Sequence, residues 1–420
     1  MTAAAQLRVA RLAATPAVHR AFRWLHLHQL QLRQWQLELL RIPAPPFGEQ
    51  ARAAWFLERF RQLGLANPHI DDAGNALAEL SPRSSYLAPG TSPLILLSAH
   101  LDTVFPPGTA TEPTELDTRI LAPGACDNAA GLTGLLGLAA AMRDAELAPA
   151  APILFAANVG EEGEGDLRGM RHLFTASPYA TRIAAAIALE GGGSAAVITR
   201  ALASRRFRIT VTGPGGHSWT DAGTPNPILI LARALLALES LASDPAAPDS
   251  QSPRTTLNVG SISGGTSINS IPASATAWLD LRSTDSAQLQ AAELALRSTL
   301  GEWITNAPEA ANGNAKNPSL AFAIETIGDR PGGALPDDAP LLTSLRAVDR
   351  HLNLRTEPGL GSTDANIPLS LGVPAIAIGA GGLGGGIHTL QEWHDPTGRN
   401  SALRRILLTL LDTADLARDP

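Results

Sequence analysis

Four short apolar runs constrain this chain most. Residues 94–97, 153–159, 183–189 and 375–378 are apolar almost throughout, with none of the polar alternation of a strand that has one wet face. Strands of that kind must be covered on both faces, which predicts a mostly parallel sheet sandwiched between helices. The segments between them supply helices. Residues 24–40 carry apolar side chains near helical spacing up to a proline-rich stop at 43–46, and residues 49–63 close at Gly64. Residues 129–145 put Leu132, Leu135, Leu136, Ala139 and Met142 on one face.

The middle of the chain follows another pattern. Residues 206–212 alternate, with Phe207, Ile209 and Val211 on one side. After them come a helical stretch at 226–241, alternating strands at 256–261 and 274–282, a helical stretch at 287–304 and a strand at 320–327. That order, β-α-β-β-α-β, is the ferredoxin-like split unit. It predicts an α+β domain at 205–330, inserted between the two parts of the α/β domain at 1–204 and 331–420. A length of 420 residues suits two or three domains. Residues 306–318, rich in Asn, Ala, Gly and Pro, read as a loop of the inserted domain.

Composition narrows the function classes. The chain has 32 Lys+Arg against 39 Asp+Glu, a net charge of −7, which disfavours nucleic acid as a partner. The lone cysteine, Cys126, excludes an intrachain disulfide framework and a thiolate zinc ribbon, so any metal must rest on His and carboxylate. The glycine-rich stretch 379–386 lacks the context of a phosphate loop. No apolar run reaches the roughly 18 residues of a membrane span. Near the N-terminus Arg8, Arg11, Arg20 and Arg23 precede the first acid, Glu38. This reads as a targeting segment or, as we expect, a solvated amphipathic helix, with a cytoplasmic location by default.

Ligands of open α/β sheets bind at the carboxyl ends of strands. Three strand ends here carry metal-competent groups: His100 with Asp102, Glu161 with Glu162, and Glu190. Asp127 starts a helix after a turn, and His388 follows the glycine-rich stretch. Singly, each has an ordinary reading: a solvated pair, a wet loop, a helix N-cap, a turn residue, a surface histidine. Five such features in order through one domain point instead to a shared cation site, since adjacent carboxylates repel and zinc accepts both His nitrogen and carboxylate oxygen.

The sequence resembles the co-catalytic dizinc hydrolases that include glutamate carboxypeptidase, peptidase T, acetylornithine deacetylase and succinyl-diaminopimelate desuccinylase. The resemblance is carried by Ser98-Ala99-His100-Leu101-Asp102-Thr103-Val104, Gly124-Ala125-Cys126-Asp127-Asn128-Ala129-Ala130-Gly131 and Val159-Gly160-Glu161-Glu162-Gly163. It continues through Gly213-Pro214-Gly215-Gly216-His217-Ser218, Gly361-Ser362-Thr363-Asp364-Ala365 and His388-Thr389-Leu390-Gln391-Glu392-Trp393. It implies two zinc ions per subunit, with cobalt or manganese as substitutes. His100, Asp127 and Glu190 would hold one ion and Asp127, Glu162 and His388 the other, with Asp127 bridging. Glu161 would be the general base and Asp102 the orienter of His100. The inserted domain would be a lid and dimerisation module, with His217 reaching across a homodimer to the oxyanion, and Asn269 and Arg282 contacting a substrate carboxylate.

The implied activity is amide hydrolysis of small peptides or N-acyl amino acids with a free carboxylate. A peptidase T-like aminopeptidase acting on tripeptides is the alternative, and a binding protein that kept the fold without catalysis is a third reading. Glu at position 190, where the family has Asp or Glu, favours carboxypeptidases and deacylases. The lid motif and Gly165-Asp166-Leu167-Arg168-Gly169 favour peptidase T. Asn128 departs from the charged residue common after the bridging Asp, and Cys126 reads as a small buried neighbour rather than a ligand. The resemblance also implies a cis Asp127–Asn128 peptide.

Overall fold

The computed structural model describes residues 3–81, 92–109, 112–239, 254–305 and 320–418. They form two compact units, one made of Met1–Ala201 with Gly333–Pro420 and the other of Leu202–Gly332. The loop read at 306–318 lies outside the described residues.

The first unit is built on a nine-stranded sheet. From one edge its strands run Ala66–Ile70, Ala76–Leu80, Ile153–Asn158, Leu94–His100, Ile183–Leu189, Ala375–Ile378, Ala196–Ala201 and Gly333–Ala334, and Glu357–Gly361 pairs with Ala196–Ala201. The four apolar runs are its centre. They pair in parallel, with Leu97 opposite both Phe155 and Ile187 and with Ala377 opposite Ala188. Every residue of Leu94–His100 is buried, as double coverage requires. Ala129–Asp144 is buried along nearly its whole length between the sheet and the helices outside it. Gly137 makes this close packing possible, because a Cβ there would lie 2.7 Å from Leu32 Cδ2 on the neighbouring helix.

Two features of this unit differ from the sequence reading. Residues 24–40 are not one helix; Pro16–Leu27 and Gln29–Leu40 meet at His28. The His28 ring stacks on Trp24 at 4.2 Å, and its Nδ1 lies 2.9 Å from the Trp24 carbonyl. A side chain thus competes for a helical carbonyl, the local effect that ends helices. The Arg-rich N-terminus is an amphipathic helix with one wet face, as expected, but its other face and Arg8 are engaged. Ala3–Ala13 buries Ala5, Val9 and Ala13 against helices Pro340–His351 and Arg399–Arg418. Arg8 grips the buried Asp412 through Nε at 2.5 Å and Nη2 at 2.8 Å. Small alanines allow this approach, and the ion pair satisfies a carboxylate that burial would otherwise penalise. No helix among the described residues is long and apolar enough to cross a membrane.

A second, four-stranded sheet joins Leu383–Gly385, Trp393–Asp395, Arg119–Leu121 and Thr114–Leu116. It holds both ends of the loop that carries His388.

The second unit has the sheet order Thr255–Gly264, Ser274–Ser283, Ala203–Thr212, Ala321–Arg330, all antiparallel. Helices Pro227–Leu238 and Ser286–Thr305 close its core with Phe207, Ile209, Val211, Leu279 and Leu281. This is the ferredoxin-like arrangement, in which the first and third strands are central.

A buried polar network ties the helix Gln29–Leu40 to the rest of the first unit. Gln36 donates to the Ala125 carbonyl and to His394 Nδ1, each at 2.9 Å, and Arg399 donates to the Gln36 side-chain oxygen, Oε1, at 3.2 Å. His394 Nδ1 is then the acceptor, which leaves Nε2–H to donate to the Gly381 carbonyl at 3.0 Å. Burial pushes the His394 pKa down to about 4, and the nearby Arg399 adds to this. Because the unfolded chain protonates first, this histidine's contribution is complete above about pH 6.5 and is lost as the pH falls toward 4, about 3 kcal/mol in all. Urea denaturation of wild type and His394→Gln should therefore show a steeper loss of stability between pH 6.5 and 4 in the wild type. Parallel pH profiles would contradict the assignment.

Candidate metal centre

The parallel register sets the site. His100, the last residue of its strand, lies opposite Asn158, and Ser98 lies opposite Ala188, so Glu190 follows its strand at the level of His100. Chain reversals after these strands leave His100, Glu161, Glu162 and Glu190 at one edge of the sheet.

His100 is fully buried. Its Nε2 lies 3.0 Å from Asp127 Oδ1 and 3.3 Å from Glu190 Oε1. On the other side of Asp127, His388 Nε2 lies 3.1 Å from Oδ2 and 3.0 Å from Glu162 Oε1. The two oxygens of one carboxylate therefore face two different imidazoles, and each imidazole has a second carboxylate beyond it. Ligand atoms of His100, Asp127 and Glu162 all fall within 4.8 Å of one another.

Asp102 does more than stand behind His100. The closest partner of His100 Nδ1 is the Asp102 backbone carbonyl at 3.1 Å, with the carboxylate at 3.6 Å. That carboxylate accepts from the backbone N–H of Glu161 at 3.0 Å and of Glu162 at 2.7 Å. It thus fixes the turn that presents the two glutamates. Arg52 lies buried beneath it and donates to the Leu101 carbonyl at 2.7 Å.

Asp127 is not the helix cap. Asn128 takes that place, its side-chain oxygen accepting from Gly131 N–H at 3.2 Å and from Gly191 N–H at 2.9 Å. Its amide donates to the Leu189 carbonyl at 2.9 Å, which joins the helix start to the turn carrying Glu190. The Asp127–Asn128 peptide is cis. Cys126 is buried, its sulfur accepts from Gly192 N–H at 3.1 Å, and burial pushes its thiol pKa up to about 12, so it stays a neutral packing group.

The electrostatics follow from crowding carboxylates in a buried place. Burial pushes Glu190 up to about 7, with Asp127 and Asp364 adding to the effect. Burial also opposes the charge on Asp127, but His100 and His388 outweigh it and hold that carboxyl below the usual range. Hydrogen bonds to Asp127 and Glu162 raise His388 to about 10. His100 is raised well above its ordinary value, since Glu190, Asp102 and Asp127 outweigh its burial. Protons on the imidazoles thus offset charge that the carboxylates cannot bear alone. Glu190 Oε2 is buried without a hydrogen bond. Buried polar atoms in native proteins normally have partners. Imidazole nitrogens, carboxylate oxygens and one orphaned oxygen together fit divalent cations of the zinc type.

The lid residues belong to the second unit. His217 pairs in register with Ser270, and the backbone N–H groups of Trp219 and Thr220 point at its Nδ1 at 3.2 and 3.4 Å. A neutral ring then carries its proton on Nε2. Asn269 steadies this loop, its carbonyl accepting from Ser218 N–H at 3.0 Å. Arg282 is elsewhere. It pairs in register with Ser204 and Thr256, and its guanidinium meets Asp280 at 2.6 Å. It lies eight positions along the strand from Ser274, about 27 Å at ordinary strand rise. An uninterrupted ten-residue strand, Ser274–Ser283, thus follows Asn269 and carries Arg282 near its far end.

Sequence reasoning gave no role to three residues that shape the centre. Glu392 accepts from three backbone N–H groups of the Asp127 loop. Asn158 donates to Asp364 at 2.8 Å, and Asp364 in turn acts on Glu190. Asp364 and Glu392 both stand in quoted motifs, but nothing local shows which distant backbone a carboxylate will meet.

Residues 203–302 match the family model described as a peptidase dimerisation domain, and residues 75–211 match that of peptidase family M28. The chain is 30% identical over 257 residues to a probable carboxypeptidase of Aspergillus clavatus, covering 56% of this chain and 54% of that protein. It is 30% identical over 264 residues to succinyl-diaminopimelate desuccinylase 2 of Shewanella loihica, covering 58% of this chain and 66% of that protein. The matches thus span just over half to just under two thirds of these relatives' length. In structure it is similar to a tripeptidase of Staphylococcus aureus, with TM-score 0.72 and 20% identity over 91% of this chain and 98% of that one, a likeness of fold. The chain thus joins a matched peptidase dimerisation domain to an α/β unit whose strand ends gather His, Asp and Glu, and over just over half its length it is similar to a probable carboxypeptidase and a succinyl-diaminopimelate desuccinylase.

Proposed function

We propose that this protein is a dizinc metallohydrolase that cleaves amide bonds in small peptides or N-acyl amino acids bearing a free carboxylate. One observation carries the reading: the two oxygens of Asp127 face His100 at 3.0 Å and His388 at 3.1 Å, with Glu190 and Glu162 on the outer sides. Such a carboxylate suits two cations held side by side. His100, Asp127 and Glu190 would hold one and Asp127, Glu162 and His388 the other; cobalt or manganese would fit the same donors. When bound, the cations would acidify a water and polarise the substrate carbonyl.

The remaining work falls to the protein's own side chains. Glu161 is 5% exposed, and its backbone is fastened by Asp102, which places a carboxylate beside the ligand Glu162. It takes the proton of the attacking water and hands it to the leaving nitrogen. His217, with Nε2–H free to donate, stabilises the oxyanion. Trp219, Ile268 and Asn269 beside it are exposed, so the loop is open to a second chain. We place the homodimer contact on the edge strand Thr255–Gly264. Its Val259 and Ile262 are exposed, and the adjacent helix Pro227–Leu238 exposes Leu229 and Leu236. A long apolar edge of this kind is a template for pairing. In such a dimer His217 and Asn269 would serve the partner's site, and Arg282, whose fork suits a carboxylate, would act at a different one.

Glu190 and the carboxypeptidase and desuccinylase relatives support attack on substrates with a free carboxylate. The segment at 165–169 keeps the aminopeptidase reading open to test. Zinc-loaded protein should hydrolyse dipeptides and N-acyl amino acids that have a free carboxylate and not their amidated forms. Cleavage that instead requires a free amino group would establish the aminopeptidase. Glu161→Gln should keep its metal content by elemental analysis and lose hydrolysis; full turnover in that variant rules out the base. His217→Ala should lower kcat by about 100-fold or more. Mixing the two inactive variants should restore part of the activity through heterodimers, whereas no recovery would show that sites are not completed in trans.

A further inference from the structure

We propose that Glu392 is a positioning residue that fastens the His388 half of the centre to Asp127, while Asn128 fastens the Glu190 half. The two halves then take up metal under separate control. This inference rests on the dinuclear reading above.

Glu392 is fully buried. Its Oε1 accepts from the N–H groups of Cys126 at 2.8 Å and Asp127 at 2.7 Å, and its Oε2 accepts from Gly124 N–H at 3.1 Å. Its own carbonyl accepts from Ala122 N–H at 3.0 Å. One residue thus ties down the whole approach to Asp127. The same residue ends the turn that holds His388, with Thr389 N–H on the Gly386 carbonyl at 3.0 Å and Glu392 N–H on the Thr389 carbonyl at 3.2 Å. His388 is half exposed and borne on a loop, so little else sets its distance from Asp127. The other half has its own fastening through Asn128, which contacts Leu189 and Gly191 on either side of Glu190. An ionised carboxylate has only acceptors, enough for all three N–H groups. Glutamine at 392 would turn an NH2 toward one of them.

Outer hydrogen bonds to a metal centre typically change affinity by 10–100-fold. Metal-free protein titrated with Co2+, followed by calorimetry and visible absorption, should bind two ions in the wild type. In Glu392→Gln one ion should bind as in the wild type and the other at least about 10-fold more weakly. Adding His388→Asn to that variant should leave the retained ion unchanged, whereas adding Glu190→Gln should weaken it, because the retained ion belongs to the Glu190 half. If Glu392→Gln does not fold, Glu392→Asp, which keeps the charge and shortens the reach, should show the same one-sided loss. Equal weakening of both ions, or of neither, overturns the inference. Fewer than two ions in the wild type overturns the dinuclear reading and this inference with it.

Discussion

The carboxylate of Asp127 is the interaction around which the rest of this unit is arranged. It lies between two imidazoles, His100 and His388, each about 3 Å from one of its oxygens. Glu162 and Glu190 stand on the far sides. Gathering three carboxylates in a mostly buried place is unfavourable unless positive charge is brought to them. The perturbed groups record that cost: Glu190 is pushed up to about 7 and His388 up to about 10. A site so poised favours divalent cations, because they replace the protons and satisfy the orphaned Glu190 oxygen together.

Holding such a cluster demands rigidity, and much of the sheet edge supplies it. Apolar strands in parallel register bring their carboxyl ends to one level. Polar side chains then fasten the turns beyond them. Asp102 takes the N–H groups of Glu161 and Glu162, Asn128 ties the helix start to the Glu190 turn, and Asn75 accepts from Val159 N–H at 2.9 Å just before the paired glutamates. Further out, Arg405 grips Asp349 through Nε at 2.5 Å and Nη2 at 2.9 Å, and also donates to the Ser194 carbonyl in the loop after Glu190. These are fully or largely buried polar contacts, where geometry is strictly kept.

The fold class was legible because its signals are local. Runs such as Ile183–Leu189 and the alternation of Phe207, Ile209 and Val211 depend on side-chain period alone. The gathering of His100, Asp127, Glu162, Glu190 and His388 was legible as a set of strand-end residues, and their distances came only with the fold. What escaped depends on partners far away in the chain. The break at His28 has neither glycine nor proline to mark it. The N-terminal helix reads as solvated until Asp412, some 400 residues on, is seen to receive Arg8. Arg282 and Asn269, close in sequence, stand toward opposite ends of an unbroken ten-residue strand.

The sequence by itself determined the double-covered sheet, the ferredoxin-like order of the middle segment and the donor types of the site, since each follows from residue identity and spacing. With one cysteine, nitrogen and oxygen were the donors left for a metal. The tertiary structure decided which oxygens face which nitrogens, that Asn128 rather than Asp127 caps the helix, and that Glu392 gathers the backbone of the Asp127 loop. Those outcomes rest on hydrogen bonds between segments up to several hundred residues apart. Their geometry is fixed only when the strands are in register and the core has closed around them.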